Sequence, residues 1–184
     1  DIAIEFNAQN TRQGIVTACS SGTKAIGNAF EYLKQGKAQV MITGGSEASV
    51  NEIGIAGFAA LTALSTASDA QMASMPFDRD RHGFVLGEGG ATLVLETLTH
   101  AQERGANILA EIVGYGTTSD AYHMTAPEPT GKGAQRAMQQ AIDEAELDPS
   151  QVDYVNAHGT STMANDSAEA QAIANVFAHN THIK

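Results

Sequence analysis

Residues 15–45 read IVTACSSGTKAIGNAFEYLKQGKAQVMITGG. After the opening IVTACSSG, the apolar residues Ala25, Ile26, Ala29, Phe30 and Leu33 recur at the spacing of a helix with one buried face, and Gly36 is the expected terminating residue. The AQVMITGG run that follows is short, apolar, rich in β-branched residues and closed by paired glycines, the pattern of a strand buried on both faces. A helix feeding a buried strand is the repeating step of layered α/β folds.

Working outward, IGIAGFAALTAL (residues 53–64) is expected to be helical and STASDAQMASMPFDRDR (65–81) a loop punctuated by Pro76. GFVLGEGGATLVLETLTHAQERG (83–105) reads as strand, glycine turn, strand and short helix, and LAEIVGYGTTSD (109–120) as a further strand and loop. In GKGAQRAMQQAIDEAEL, Ala137, Ala141, Ile142 and Ala145 share one helical face. VDYVNA (152–157) reads as a strand, and Asn165 to Phe177 as a final helix. No short repeat, low-complexity tract or linker interrupts this α/β alternation.

Composition narrows the function. At 184 residues and 42% hydrophobic content the chain can bury the core of a globular unit. A net charge of −11 argues against nucleic acid, whose phosphates are bound by clustered Lys and Arg. No apolar run is long enough for a membrane span and the first residues lack a signal-peptide pattern, so a cytoplasmic protein is expected. A first residue other than Met and the unclosed HNTHIK ending suggest truncation at both ends. The single cysteine cannot form an internal disulfide, and the histidines show no metal-ligand spacing, so no metal site is expected.

Cys19 is expected between a strand and the mouth of a helix, where unpaired amides and the helix dipole stabilise a thiolate. Small neighbours Ala18, Ser20, Ser21 and Gly22 leave room for a thioester, and the Cys19 amide could hold its developing oxyanion. A buried structural cysteine fits the segment equally well. In VDYVNAHGTSTMAND, His158 directly follows an expected strand, the carboxyl-end position where α/β folds assemble sites, with a hydroxyl-rich turn after it. It reads either as a catalytic group or as a hydrogen-bonded structural histidine. The DRDR run at Asp78–Arg81 is expected to be a loop of local ion pairs rather than a docking patch.

TACSSG opening a helix and NAHGTST closing a strand both resemble the elongating β-ketoacyl-acyl-carrier-protein synthases, of the KAS II type. GGSEAS, IAGFAALTALST, PFDRDRHGFVLGEGG and LAEIVGYGTTSDAYHMTAP extend the resemblance, in order, along nearly the whole chain. It implies an α/β thiolase-like fold, a layered core of two similar halves. Residues 1–110 would be the later part of the amino-terminal half and 111–184 the start of the carboxyl-terminal half, both incomplete.

The resemblance also implies a decarboxylating condensation of a Cys19-bound acyl chain with malonyl-ACP, elongating it by two carbons, with His158 stabilising the enolate. It implies acyl-carrier protein as partner, a homodimer for the intact enzyme and no cofactor beyond the phosphopantetheine of the carrier. Thr125, Thr160 and Thr162 resemble hydroxyls contacting that arm, with loop capping as the alternative. Gly54 and Phe58 match positions lining an acyl-chain pocket, with core packing as the alternative. Asp166 and Glu169 resemble acidic residues that hold a family lysine. That lysine and a second catalytic histidine fall outside the 184 residues, so the segment alone is expected to be inactive. The alternative reading is a truncated, non-condensing acyl-binding or vestigial module.

Overall fold

The structure, a computed structural model, describes all of residues 1–184. In chain order its elements are α1 (Ile2–Glu5), α2 (Ser21–Lys34), β1 (Val40–Glu47), α3 (Glu52–Ala60), β2 (Gly89–Glu96), α4 (Leu98–Glu103), α5 (Lys132–Glu144) and α6 (Met163–Val176), with single 3-10 turns at Ala70–Met72 and Pro149–Gln151. They divide into two interleaved units, residues 1–47 with 89–112 and residues 48–88 with 113–184.

In the first unit the apolar period of α2 buries Gly27, Ala29 and Leu33. Its end is a Schellman motif: Gly36, at φ +69°, donates its amide to Leu33 O, and Lys37 donates to Tyr32 O. Gly36 thus terminates the helix as the sequence predicts. β1 then pairs antiparallel with β2 along its whole length, from Val40 opposite Glu96 to Glu47 opposite Gly89. Burial on both faces, expected for β1, is not found: its central residues are half-buried and Gly45 to Glu47 are exposed. Within this unit α2 packs on the pair and no further strand joins it, so only one face is covered. Thr97 caps α4, accepting a hydrogen bond from the His100 amide.

In the second unit, Ile142 of α5 packs with Val176 and Phe177 at the end of α6, and Met138, Val152, Val155, Ile173 and Ile183 close around them. Removing the Ile142 side chain beyond Cβ would cost about 2–5 kcal/mol. The helical face predicted for α5 is the one that packs, with Ile142 buried and Ala137, Ala141 and Ala145 half-buried. The α3 helix ends at Ala60, four residues short of the expected Leu64, in a turn where Thr62 adopts φ +53°.

Four expected strands do not form ladders. Residues 11–16 ahead of Cys19 carry only the isolated Thr17–Cys19 bridge at their end, and Phe84 makes one bridge with Leu64. Residues 109–117 are held along α5 by side chains, Tyr115 and Thr117 donating their amides to Glu144 and Gln140. Residues 152–157 exchange two bonds with the chain end, Val155 donating to Lys184 O and Lys184 to Asp153 O. Composition marks a segment as fit for a pleated surface, but a strand exists only where a second backbone lines up beside it. No helix is long and apolar enough to cross a membrane.

Candidate active site

Cys19 lies one residue ahead of Ser20, the N-cap of α2, at the mouth of the helix as predicted. The turn carrying it is built from hydroxyls and backbone. Ser21 Oγ accepts from the Thr17 amide and donates to Ala18 O, while Ser20 Oγ donates to Thr17 O. Ala18 is forced to φ +51°, which costs a non-glycine residue about 1 kcal/mol and turns the chain sharply just before the cysteine. The thiol is exposed in this chain. It opens on a hollow of about 490 Å³ that Gly22, Gly45 and Gly90 also line. The hollow exists because α2 and β1 approach through glycines: a Cβ on Gly45 would stand 3.1 Å from the Gly22 Cα.

His158 heads the second turn, and its ring is exposed. Here side chains do the holding. The carboxylate of Glu169, one face along α6, accepts from two successive amides, His158 at 2.7 Å and Gly159 at 2.9 Å. Gly159 is at φ +49°, the left-handed region that favours glycine, and a Cβ there would stand 3.3 Å from the Phe77 ring, a tight contact. Thr160 and Thr162 place their hydroxyl oxygens 2.8 Å apart. With Thr160 donating to Asp166 Oδ1, the Thr162 hydroxyl donates to Thr160 and, as N-cap of α6, accepts from the Asn165 amide. Ser161 is fully buried at φ +67°, its hydroxyl accepting from the Met75 amide and its carbonyl from the Gly83 amide.

Asp166 is 1% exposed, yet every oxygen is satisfied. It accepts from the Phe77 amide at 2.7 Å and lies 3.5 Å from Arg81 Nε. Local ion pairing in the DRDR run is found for Arg79 and Asp80, 3.6 Å apart on the surface. Arg81 departs from that expectation. Its guanidinium reaches across the turn to donate to Thr162 O, Met163 O and Ser167 Oγ.

His158, Thr160 and Thr162 are therefore brought together in one turn of the second unit, with Asp166 and Glu169 reaching it from α6. Thr125 sits on an exposed loop where its amide and that of Ala126 donate to His123 Nδ1, a local cap. Gly54 lies in the first turn of α3, donating to the N-cap Asn51 and so close to Ser49 that a Cβ would meet Ser49 O at 2.1 Å. Phe58 stacks edge to face on Phe84, ring centres 5.2 Å apart, and remains partly exposed with the rest of α3. Sequence reading missed Arg81, Phe77 and Ser161. No periodicity marks a buried arginine in a charged run, and the balanced DRDR composition gave no cue that Arg81 would reach beyond its own loop.

No group of three or more His, Cys, Asp or Glu side chains has the geometry to hold a metal ion. Residues 1–101 match the family described as β-ketoacyl synthase, N-terminal domain, and residues 109–184 the corresponding C-terminal domain. Among curated proteins, the chain is 53% identical over 176 residues to a Staphylococcus aureus 3-oxoacyl-[acyl-carrier-protein] synthase 2, covering 96% of this chain and 44% of that protein. It is 51% identical over 172 residues to a synthase 2 from Synechocystis, covering 93% of this chain and 41% of that one. Among solved structures, a β-ketoacyl synthase from Burkholderia phymatum superposes with a TM-score of 0.90 at 45% identity, covering 96% of this chain and 43% of the other. A ketosynthase complexed with its type II PKS acyl-carrier protein superposes at 0.95 with 39% identity, covering 99% and 45%. The chain spans less than half the length of the relatives it matches.

Proposed function

The chain belongs to the β-ketoacyl synthase family, and from that premise we propose that the protein carrying it is a 3-oxoacyl-[acyl-carrier-protein] synthase of the elongating, type II kind. The fold is the thiolase-like α/β fold of the ketosynthases it superposes on. The observation that carries the proposal is the 53% identity across 96% of the chain to a synthase of that activity.

The Cys19 thiolate attacks the thioester carbon of acyl-ACP, the bond from that carbon to the carrier sulfur breaks, and the carrier leaves as a thiolate that takes a proton from solvent. Malonyl-ACP then loses carbon dioxide, and the electron pair of the broken C–C bond is delocalised onto the thioester oxygen as an enolate. The enolate carbon attacks the Cys19 thioester, the new C–C bond forms, and the Cys19 thiolate is expelled. His158 donates a hydrogen bond to the enolate oxygen as charge develops, which is the electrostatic contribution such donors make. Thr160 and Thr162, with Thr125 on its loop, contact the phosphopantetheine arm. Gly54 and Phe58 line the space for the acyl chain. Asp166 and Glu169 hold the His158 turn from behind. The electron sink is the thioester itself, so no cofactor is required. Residues 1–110 and 111–184 contribute to the two thiolase-like halves, and the working enzyme is a cytoplasmic homodimer served by acyl-carrier protein.

The test is to supply the intact protein with acyl-ACP and malonyl-ACP and follow adduct, carbon dioxide and product together. An acyl adduct on Cys19, followed by one carbon dioxide per 3-oxoacyl-ACP, is expected. An acylated Cys19 that never yields a condensed product would favour the acyl-binding module instead, and no adduct at all would remove the proposal.

A further inference from the structure

We propose that Arg81 is a positioning residue for the second half-reaction, acting through the His158–Thr162 turn; this rests on the synthase reading above. Its side chain is 10% exposed, and two of its three nitrogens are spent on the amino end of α6. Nε donates to Thr162 O at 3.1 Å, and one terminal nitrogen is shared between Met163 O at 3.0 Å and Ser167 Oγ at 2.9 Å. The other terminal nitrogen returns to its own loop, at Asp78 O, 2.8 Å away. A cation at a helix amino terminus opposes the helix dipole, so this is a poor place for an arginine that only stabilises the fold. The Asp166 carboxylate, 3.5 Å away and itself buried, offsets that repulsion.

The loop 75–83 is stitched to the turn by three further bonds. The Met75 amide donates to Ser161 Oγ, the Phe77 amide to Asp166 Oδ2 and the Gly83 amide to Ser161 O. Phe77 is held at φ +65°, an unusual conformation for a bulky residue that survives only where surrounding bonds demand it. Arg81 closes this set on the carbonyl of Thr162, the residue whose hydroxyl pairs with Thr160. Glu169 fixes the turn at His158 and Gly159; Arg81 with Asp166 fixes it at Thr162 and Met163. A lysine keeps the charge facing Asp166 but, having a single nitrogen, cannot span both carbonyls and Ser167.

The experiment compares Arg81→Lys and Arg81→Gln with the unsubstituted intact enzyme. It reads Cys19 acylation, malonyl decarboxylation and amide hydrogen exchange at residues 158–163. Acylation is expected to be unchanged in Arg81→Lys, with decarboxylation down about 10²-fold, the scale of a misplaced catalytic turn, and faster exchange confined to the turn. Arg81→Gln, which loses the charge as well, is expected to lose more decarboxylation than Arg81→Lys. Equal losses in both half-reactions, or unchanged decarboxylation in both variants, overturn the proposal. If the unsubstituted protein neither acylates nor decarboxylates, the synthase reading fails, and the Arg81 proposal, which depends on it, falls too. Synthase activity present in the parent with turn exchange unaltered in either variant overturns the role of Arg81 alone.

Discussion

The turn that carries Cys19 and the turn that carries His158 are built on opposite principles. Around Cys19 the contacts are short-range: hydroxyls of Ser20 and Ser21 bond within four residues, and the neighbouring strand comes close because Gly22 and Gly45 have no side chains. Around His158 they are long-range, with Glu169 eleven residues on, Arg81 about eighty back, and Asp166 buried between them. The contrast fits the proposed roles. A nucleophile needs open space in front of it, so small residues and backbone suffice, whereas a hydrogen-bond donor proposed to face an enolate needs its direction held, and direction is held by charged side chains bonded at several points.

The largest effect that would sharpen this contrast is Cys19→Ala in the intact enzyme. With the one thiol of these 184 residues gone, covalent acylation at this position should vanish and turnover fall about 10³-fold or more. Label retained on the variant, located by peptide mass, would break the assignment. His158→Ala should leave acylation in place and slow malonyl decarboxylation by about 10²–10³-fold, measured as carbon dioxide release. A parallel fall of both half-reactions would mean the two turns are not separable in function.

Two further substitutions compare how the turns are held. Glu169→Gln replaces a carboxylate that serves two amides with a group having one acceptor oxygen, so one amide faces an NH2 donor instead. A loss of about 1–3 kcal/mol by denaturant unfolding is expected, with faster exchange at His158 and Gly159. Gly45→Ala adds a methyl 3.1 Å from the Gly22 Cα and should also cost about 1–3 kcal/mol, but here the visible consequence is slower acylation as the hollow in front of Cys19 narrows. If Gly45→Ala left acylation untouched, the close approach of α2 and β1 would have no bearing on the nucleophile.

The smallest effect lies away from both turns. Hydrogen bonds from Arg104, then His100, draw the Glu96 carboxyl down from its ordinary 4.5 to about 2. A depressed pKa means that folding favours the ionised form, so the contribution is present in full above pH 4.5 and is lost as pH falls toward 2. The stability difference between the parent chain and Glu96→Gln should therefore be flat above pH 4.5 and shrink below it, with no corresponding change in turnover at neutral pH.

How far the chain was legible depended on the range of the interactions involved. Helix α2, its glycine stop and the position of Cys19 at its mouth follow from residues within a few places of one another, and were readable. So was α5, whose apolar face repeats locally, and α6 was expected within two residues of its ends. The strands were not. VDYVNA and LAEIVGYG have strand composition, yet whether a second backbone lies alongside is decided by the rest of the fold. The same limit hid Arg81, whose nearest aspartates in sequence suggest local pairing, whereas Nε and one terminal nitrogen find their partners beyond residue 160.

By itself, then, the sequence determined helices α2, α5 and α6, the place of Cys19 at the mouth of α2, and, through motifs shared with a family, the pair of residues on which the chemistry is proposed to turn. Only the tertiary structure decided what holds His158 in place: one carboxylate on two amides, one guanidinium on the start of α6, and a buried aspartate between them. The reason is that a charge becomes a positioning device only once it is out of water and its partners are fixed. Burial and partner are properties of the folded chain, since Asp166 is as polar in the sequence as any exposed aspartate and is distinguished from them by 1% exposure and the groups packed around it.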